Sequence, residues 1–226
     1  LGNLRNALPR KTIGVDLGRR SIAATSTGKT WSGKQLNEVR DRYSKVRANV
    51  QSKRTKSAKR LLRRLSGRER RFQSWVNHNI SKQLVTEAKK LNASLVFEDL
   101  TNIRQSLNKK PRTKKERCKT NNWAFYQLRQ YVEYKAVIAG IPVLFVDPRY
   151  TSQTCARCHH VHPEESKKSY RRGERYKCGN CGWEHNADIN AGLVISQLGM
   201  CVTHPESSVM DCQLEGQLSL LPVNLH

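Results

Sequence analysis

Hydrophobic positions alternate between a period of two and a period of three to four, and each change of period marks an element. Residues 12–27 (TIGVDLGRRSIAATST) follow the shorter period. Ile13 and Val15 are β-branched, Gly18 supplies a turn, and Ile22, Ala24 and Thr25 begin a return strand. Thr30 and Trp31 start a third strand. From about Lys34 to Leu91 the longer period takes over, through Leu36, Val39, Tyr43, Val46 and Val50, then Leu61, Leu62 and Leu65, then Phe72, Val76, Ile80, Leu84, Ala88 and Leu91. The polar stretch Gln51–Ser57 and Gly67 are candidate breaks, so one helix and two fit the pattern equally. Ser94–Phe97 (SLVF) is a short apolar strand ending at Glu98 and Asp99. Residues 101–121 are polar and basic and read as a loop. Trp123–Ala139 forms a helix closed by Gly140, and Pro142–Val146 a strand stopped by Asp147 and Pro148. Residues 150–186 are rich in cysteine and poor in core residues, and Ala187–Leu198 is a final helix. The tail from Gly199 has no period and no assigned element.

This order predicts an α/β fold, a mixed sheet with helices packed on it. A chain of 226 residues is one domain with a small insert, large enough to bury roughly 70% of its unfolded surface without disulfides. The expected division is 1–149 for the first part of the core, 150–186 for the insert, 187–199 for the last core helix, and 200–226 for an unassigned tail. The chain opens at Leu1 without an initiator Met, which leads us to expect a portion of a longer protein or a trimmed one. The first residues contain no secretory apolar core.

Charge narrows the function. Forty-two Lys and Arg against 18 Asp and Glu leave a formal net charge of +24. Self-repulsion of this size points to a polyanionic partner. No apolar run approaches 18 residues and no lone amphipathic anchor helix is visible, so nucleic acid is favoured over a membrane surface. The positive residues crowd the helical stretch: Arg40, Arg47, Lys53, Arg54, Lys56, Lys59, Arg60, Arg63, Arg64, Arg70 and Arg71, with Asp41 and Glu69 as the acidic exceptions. Contacts from such a stretch go to phosphates and carry no sequence information. A second basic patch runs from Lys109 to Lys119.

Four of the seven cysteines form two CxxC pairs, Cys155 with Cys158 and Cys178 with Cys181, separated by nineteen residues. Each pair makes a knuckle with two thiolates on one side, and two knuckles complete a tetrahedral, closed structural zinc site. Gly179 and Gly182 suit the second knuckle. His159, His160, His162 and His185 lie nearby as less favoured substitute ligands.

Three carboxylates stand at the ends of core elements. Asp16 interrupts strand hydrophobics, Glu98 follows Leu95-Val96-Phe97, and Asp188 opens the last helix. Such groups can converge on hard cations such as Mg²⁺. Any one of them also has a structural explanation, Asp188 for example as a helix N-terminal charge, and a fourth acid, Asp147, reads as a turn residue before Pro148 and not as a ligand. Residues alone leave the two explanations evenly balanced.

Five blocks break the tie. Gly14-Val15-Asp16-Leu17-Gly18, Val96-Phe97-Glu98-Asp99-Leu100, Tyr150-Thr151-Ser152-Gln153-Thr154-Cys155, Cys178-Gly179-Asn180-Cys181-Gly182 and Asp188-Ile189-Asn190-Ala191 resemble, in order, the C-terminal region of TnpB/OrfB proteins, which share their nuclease with type V CRISPR effectors. The resemblance spans residues 12 to 198, and Asn77-His78-x-x-Ser81 resembles a further family pattern. It implies an RNase H-like (RuvC-type) fold with an inserted zinc ribbon. It implies metal-dependent DNA hydrolysis under RNA guidance, with Asp16, Glu98 and Asp188 holding two catalytic Mg²⁺ or Mn²⁺ ions and the four cysteines one structural Zn²⁺. Expected partners are target DNA and a guide RNA, gripped in part by an N-terminal lobe that nothing here matches. The expected location is the cytoplasm of a prokaryotic-type cell, away from membrane; oligomeric state stays open. His159 stands where the family usually has Gly, Ala187 where Arg more often precedes the Asp, and Gly192 replaces a common Ala. The competing functions are a nucleic-acid-binding regulator with a retired nuclease and a structural zinc-ribbon adaptor in a transposition complex.

Overall fold

The structure is a computed structural model, and it describes residues 9–18, 20–101, 125–163 and 170–204. The elements in chain order are β1 (Lys11–Asp16), β2 (Ser21–Thr25), β3 (Thr30–Ser32), α1 (Lys34–Ser52), α2 (Lys56–Leu91), β4 (Ala93–Glu98), α3 (Phe125–Ala139), β5 (Val143–Val146), β6 (Arg171–Arg172), β7 (Arg175–Lys177), β8 (Glu184–Asn186) and α4 (Ala187–Thr203). Five strands form a mixed sheet in the order β3-β2-β1-β4-β5. The first three pair antiparallel, while β1, β4 and β5 run parallel. A parallel strand between two others is covered on both faces, which explains why β4 is buried without a break from Ala93 to Phe97.

Side chains of β4 alternate between two cores. Leu95 and Phe97 join Ile13 and Val15 of β1, Ile80, Leu84 and Ala88 of α2, and Leu128, Val132 and Ala136 of α3. Val96 points the other way, into a core with Val146 and with Val194, Ile195 and Leu198 of α4. The sheet is thus sandwiched, with α2 and α3 on one face and α4 on the other.

The helical stretch resolves into two helices. The break falls where the polar residues stand: Arg54 is left-handed (φ 52°), and the Thr55 hydroxyl caps α2 by accepting from the Ala58 amide at 3.2 Å. Gly67 is no break and lies inside α2. α4 runs on to Thr203, past the expected end at Leu198 and the boundary at 199. Gly199 continues the helix because it faces the Val96 side chain, where a Cβ would collide. The Lys109–Lys119 patch and the tail beyond His204 lie outside the described residues.

α4 lies against β1 at a contact that only glycine permits. A Cβ on Gly14 would overlap the Gly192 carbonyl oxygen and the Ser196 amide. One turn along, Thr12 and Ser196 clasp the two elements through hydroxyl bonds of 2.7 and 2.9 Å. Both obstructing atoms at Gly14 are backbone and cannot swing aside. Gly14→Ala therefore lowers unfolding free energy by about 3 kcal/mol or more, the upper range for overpacking. Gly67→Ala, whose Cβ would meet only the flexible Arg71 guanidinium at 3.4 Å, raises it by roughly 0.5–1 kcal/mol. Urea titrations of both variants check the contrast.

Candidate active site and metal centre

Period two carries two carboxylates to one place. Thr12, Gly14 and Asp16 share the β1 face that α4 covers, and Glu98 shares the β4 face of Val96. Gly14 and Val96 pair across the parallel register, so Asp16 and Glu98, two residues on, finish neighbouring strands side by side. The third carboxylate comes from α4. Asn186 caps that helix, its side-chain oxygen accepting from the amides of Asp188 (3.0 Å) and Ile189 (3.2 Å), and so sets where Asp188 sits in the first turn.

The three groups feel one another. Burial first, and then the charges of Glu98 and Asp188, push the Asp16 carboxyl well above the usual range. Burial raises Glu98 to about 7; Asp147 adds to the rise, and the hydrogen bond donated by the Thr151 hydroxyl opposes it. Asp188 accepts from the Ser21 hydroxyl (2.8 Å) and from the Arg171 guanidinium (3.0 Å). Asp99, next to Glu98, turns away to Thr101 and Arg129. Asp147 behaves as a turn residue, accepting from the Arg149 amide at 2.8 Å.

No local pattern in the sequence pointed to three contacts at the site. Ser21 opens β2 without a motif, and Arg171 lies in the insert with no pattern around it. Thr151 stands in a recognised block, but its bond to Glu98 depends on the turn after β5. Arg171 matters most, because it makes the insert part of the acidic site.

Cys155, Cys158, Cys178 and Cys181 present sulfur atoms that all lie within 4.8 Å of one another, with Cys155–Cys181 at 3.7 Å and Cys158–Cys178 at 3.6 Å. Four thiols at this spacing can hold a metal ion such as zinc. Among the described residues no other His, Cys, Asp or Glu group gathers as tightly. The knuckles turn through left-handed residues. Gly182 (φ 71°) closes the second, and His159 (φ 58°) takes the equivalent bend in the first, donating its amide to the Cys155 carbonyl at 2.9 Å. His162 packs against Tyr170 at 4.9 Å instead of joining the thiols.

The insert is strapped to α4. Buried Asn190 accepts from the Ala156 amide (3.1 Å) and donates to the Thr154 carbonyl (2.9 Å), and Gln197 donates to the Ala156 carbonyl (2.8 Å). In the basic stretch, Lys53, Arg54, Lys56, Lys59, Arg60, Arg63, Arg64, Arg70 and Arg71 are exposed. Arg47 instead pairs with Glu69 at 2.6 Å and Arg40 bonds Gln73, which ties α1 to α2.

By class, then, this is an α/β domain with an acidic site at the carboxyl ends of its central strands and a four-thiol insert beside it. Residues 3–119 match the OrfB_IS605 family model, probable transposase, and residues 125–195 match the TNB domain of Cas12f1-like proteins. The chain belongs to the TnpB/OrfB family. It is 37% identical over 183 residues to a TnpB-like protein of Methanocaldococcus jannaschii, covering 78% of this chain and 63% of that one. It is also 37% identical over 127 residues to the CRISPR-associated endodeoxyribonuclease Cas12f1 of Sulfoacidibacillus thermotolerans, covering 55% of this chain and 27% of the relative. The chain thus spans less than two thirds of the length of either relative. A solved Cas12f1–sgRNA–target DNA complex shares the fold at a TM-score of 0.64 and 22% identity, over 83% of this chain and 50% of that one. Among the described residues no helix is long and apolar enough to cross a membrane.

The Glu98 environment sets a pH dependence. Its folded value of about 7 lies above the ordinary 4.5, so the folded chain keeps a proton that the unfolded chain releases. That contribution is fully present below about pH 4.5 and is lost as pH rises toward 7. Without added divalent ions, the stability of wild type relative to Glu98→Gln falls by up to about 3 kcal/mol across this window. Paired urea titrations at several pH values measure the difference.

Proposed function

We propose that this chain is the nuclease module of an RNA-guided DNA endonuclease. Asp16, Glu98 and Asp188 hold two Mg²⁺ or Mn²⁺ ions, and Cys155, Cys158, Cys178 and Cys181 hold one structural Zn²⁺. The observation that carries this reading is that β1, β4 and α4 bring three carboxylates to one end of the sheet, where Asp16 feels the charges of both Glu98 and Asp188, and Asp16 and Glu98 are pushed toward protonation. An arrangement so costly to the bare fold fits hard cations, as the four clustered thiols fit a soft one. Bound there, a pair of divalent ions supplies an activated water and stabilises the leaving oxygen of a phosphodiester.

The chain's own groups do the positioning. Thr151 orients Glu98, and Ser21 and Arg171 orient Asp188 from two sides. Arg171 adds a planar guanidinium at the site's edge, suited to phosphate oxygens. Strand order β3-β2-β1-β4-β5 with an antiparallel first half supports an RNase H-like (RuvC-type) core formed by residues 1–149 and α4, with 150–186 as the ribbon. The exposed cations of α1 and α2 supply backbone contacts to target DNA and guide RNA, partners suggested by the relatives' names.

In the protein as its complete gene encodes it, Asp16→Ala lowers guided DNA cleavage at least about a thousandfold in Mg²⁺ or Mn²⁺, the several kcal/mol such ions contribute. DNA binding by gel shift stays within about twofold, because the basic helices are untouched. Cleavage at the wild-type rate would remove Asp16 from the site.

Natively purified protein contains one zinc per chain by elemental analysis, and Cys181→Ser contains less than half. Structural zinc is worth roughly 10–16 kcal/mol to small modules, so the ribbon loosens without it. Only six residues separate Cys181 from Asp188, so cleavage falls at least about tenfold as that carboxylate loses its placement. A folded, zinc-free variant that cuts normally would break this coupling.

A further inference from the structure

The Asn77-His78-x-x-Ser81 pattern takes no part in the acidic site; it builds a surface. Buried Asn77 donates to the Gln127 side chain at 2.9 Å and accepts from Gln73 at 3.2 Å. Lys135 of α3 donates to the His78 carbonyl (2.8 Å) and to the Ser81 hydroxyl (2.6 Å). These bonds lock α3 to α2 and leave the His78 ring at the surface, stacked on Tyr131 with centroids 4.0 Å apart. Tyr134 stands edge-on to Tyr131 at 6.1 Å. One turn back, Trp75 is 61% exposed and lies over Phe72. Tyr134 is 44% exposed, and the patch continues to Val137 (79%) and Ile138 (81%). Large rings and aliphatics left in water on one face mark a contact surface.

Charge says what kind of contact. Arg71, Trp75, His78 and Lys82 follow one another at helical spacing on α2, so cations alternate with rings. The Lys135 ammonium lies 5.9 and 5.8 Å from the Tyr131 and Tyr134 rings. The three carboxylates of α2 and α3 are committed elsewhere: Glu69 to Arg47 (2.6 Å), Glu87 to Lys29 (3.2 Å) and Glu133 to Arg129 (3.0 Å). Rings flanked by cations, with every nearby acid drawn aside, suit a polyanion with accessible π faces. A duplex hides those faces inside its stack.

We propose that this face of α2 and α3 binds a single nucleic-acid strand through its unpaired bases, which stack on Trp75 and Tyr134 while Arg71 and Lys82 meet the phosphates. The proposal rests on nucleic acid being a partner and is independent of the acidic site.

The test is fluorescence anisotropy on the whole chain with labelled strands about 12 nucleotides long, within the usual site range of such surfaces. The ligands are single-stranded DNA, single-stranded RNA, an abasic strand and a duplex. Trp75→Ala and Tyr134→Ala each weaken binding to a base-bearing single strand roughly tenfold, and change binding to the abasic strand and the duplex by less than about twofold. The arm with the larger loss, DNA or RNA, identifies the strand. Unchanged zinc content and melting temperature establish that the variants are folded, as their exposure leads us to expect. Equal losses on all four ligands would overturn base stacking, as would no loss on any. A wild-type chain that binds no strand would overturn both this proposal and the nucleic-acid reading beneath it. Wild-type binding that both variants keep would overturn this proposal alone. Self-association by wild type that Trp75→Ala abolishes would assign the face to a second copy, and so overturn the proposal too.

Discussion

Everything at the acidic site depends on how closely α4 approaches β1. Backbone meets backbone where Gly14 passes Gly192 and Ser196, with no side chain between them. A helix normally packs on a sheet at a distance set by side chains; here the distance is set by main-chain atoms. This short approach lets a first-turn residue of α4 face the last residue of β1. A methyl group at position 14 would lift the helix away from the sheet and take Asp188 with it. Thr12 and Ser196 hold the contact from the other side, so that it resists sliding as well as separation.

Two opposite electrostatic demands are met in separate places. The surface carries a large positive excess, much of it on α1 and α2, while the site collects negative charge where protein surrounds it. Asp16 and Glu98 are partly accessible as residues, yet burial of their carboxyls, and after it neighbouring negative charge, raises their affinity for protons. The Arg171 guanidinium is drawn in to Asp188 from a different part of the chain. Burial of carboxylates is costly, and the sandwiched β1 and β4 strands supply the stability that tolerates it.

The cysteine insert is a positioning device as well as a cluster of four thiols able to hold a metal. Its first knuckle hangs from Asn190 and Gln197 of α4, its last strand runs straight into the Asn186 cap, and its first strand delivers Arg171. Three attachments to one helix make the insert and the site a single mechanical unit. His159 shows the tolerance of this design: a non-glycine residue accepts the left-handed bend, at a cost of about 1 kcal/mol, because the knuckle's bonds over-determine it.

Local chemistry was legible in the sequence wherever neighbouring residues decide it. The alternation in β1, the unbroken run of β4, the paired CxxC knuckles and the acidic ends of Asp16 and Glu98 are all short-range patterns, and the structure repeats them. Element ends were less legible: Gly67 and Gly199 resemble helix breakers, but Gly67 is tolerated within a long packed helix and Gly199 exists to clear Val96. The α2–α3 face also escaped, because Trp75 and Tyr134 are ordinary helix residues until packing decides which rings stay outside. Contacts such as Ser21 and Arg171 to Asp188 join positions 167 and 17 residues apart, and no local spacing encodes them. The sequence alone determined which groups are available and which strand ends carry charge, since periods of two and 3.6 are properties of the local backbone. Only the tertiary structure decided which of those groups meet, because that depends on how closely α4 can lie on the sheet.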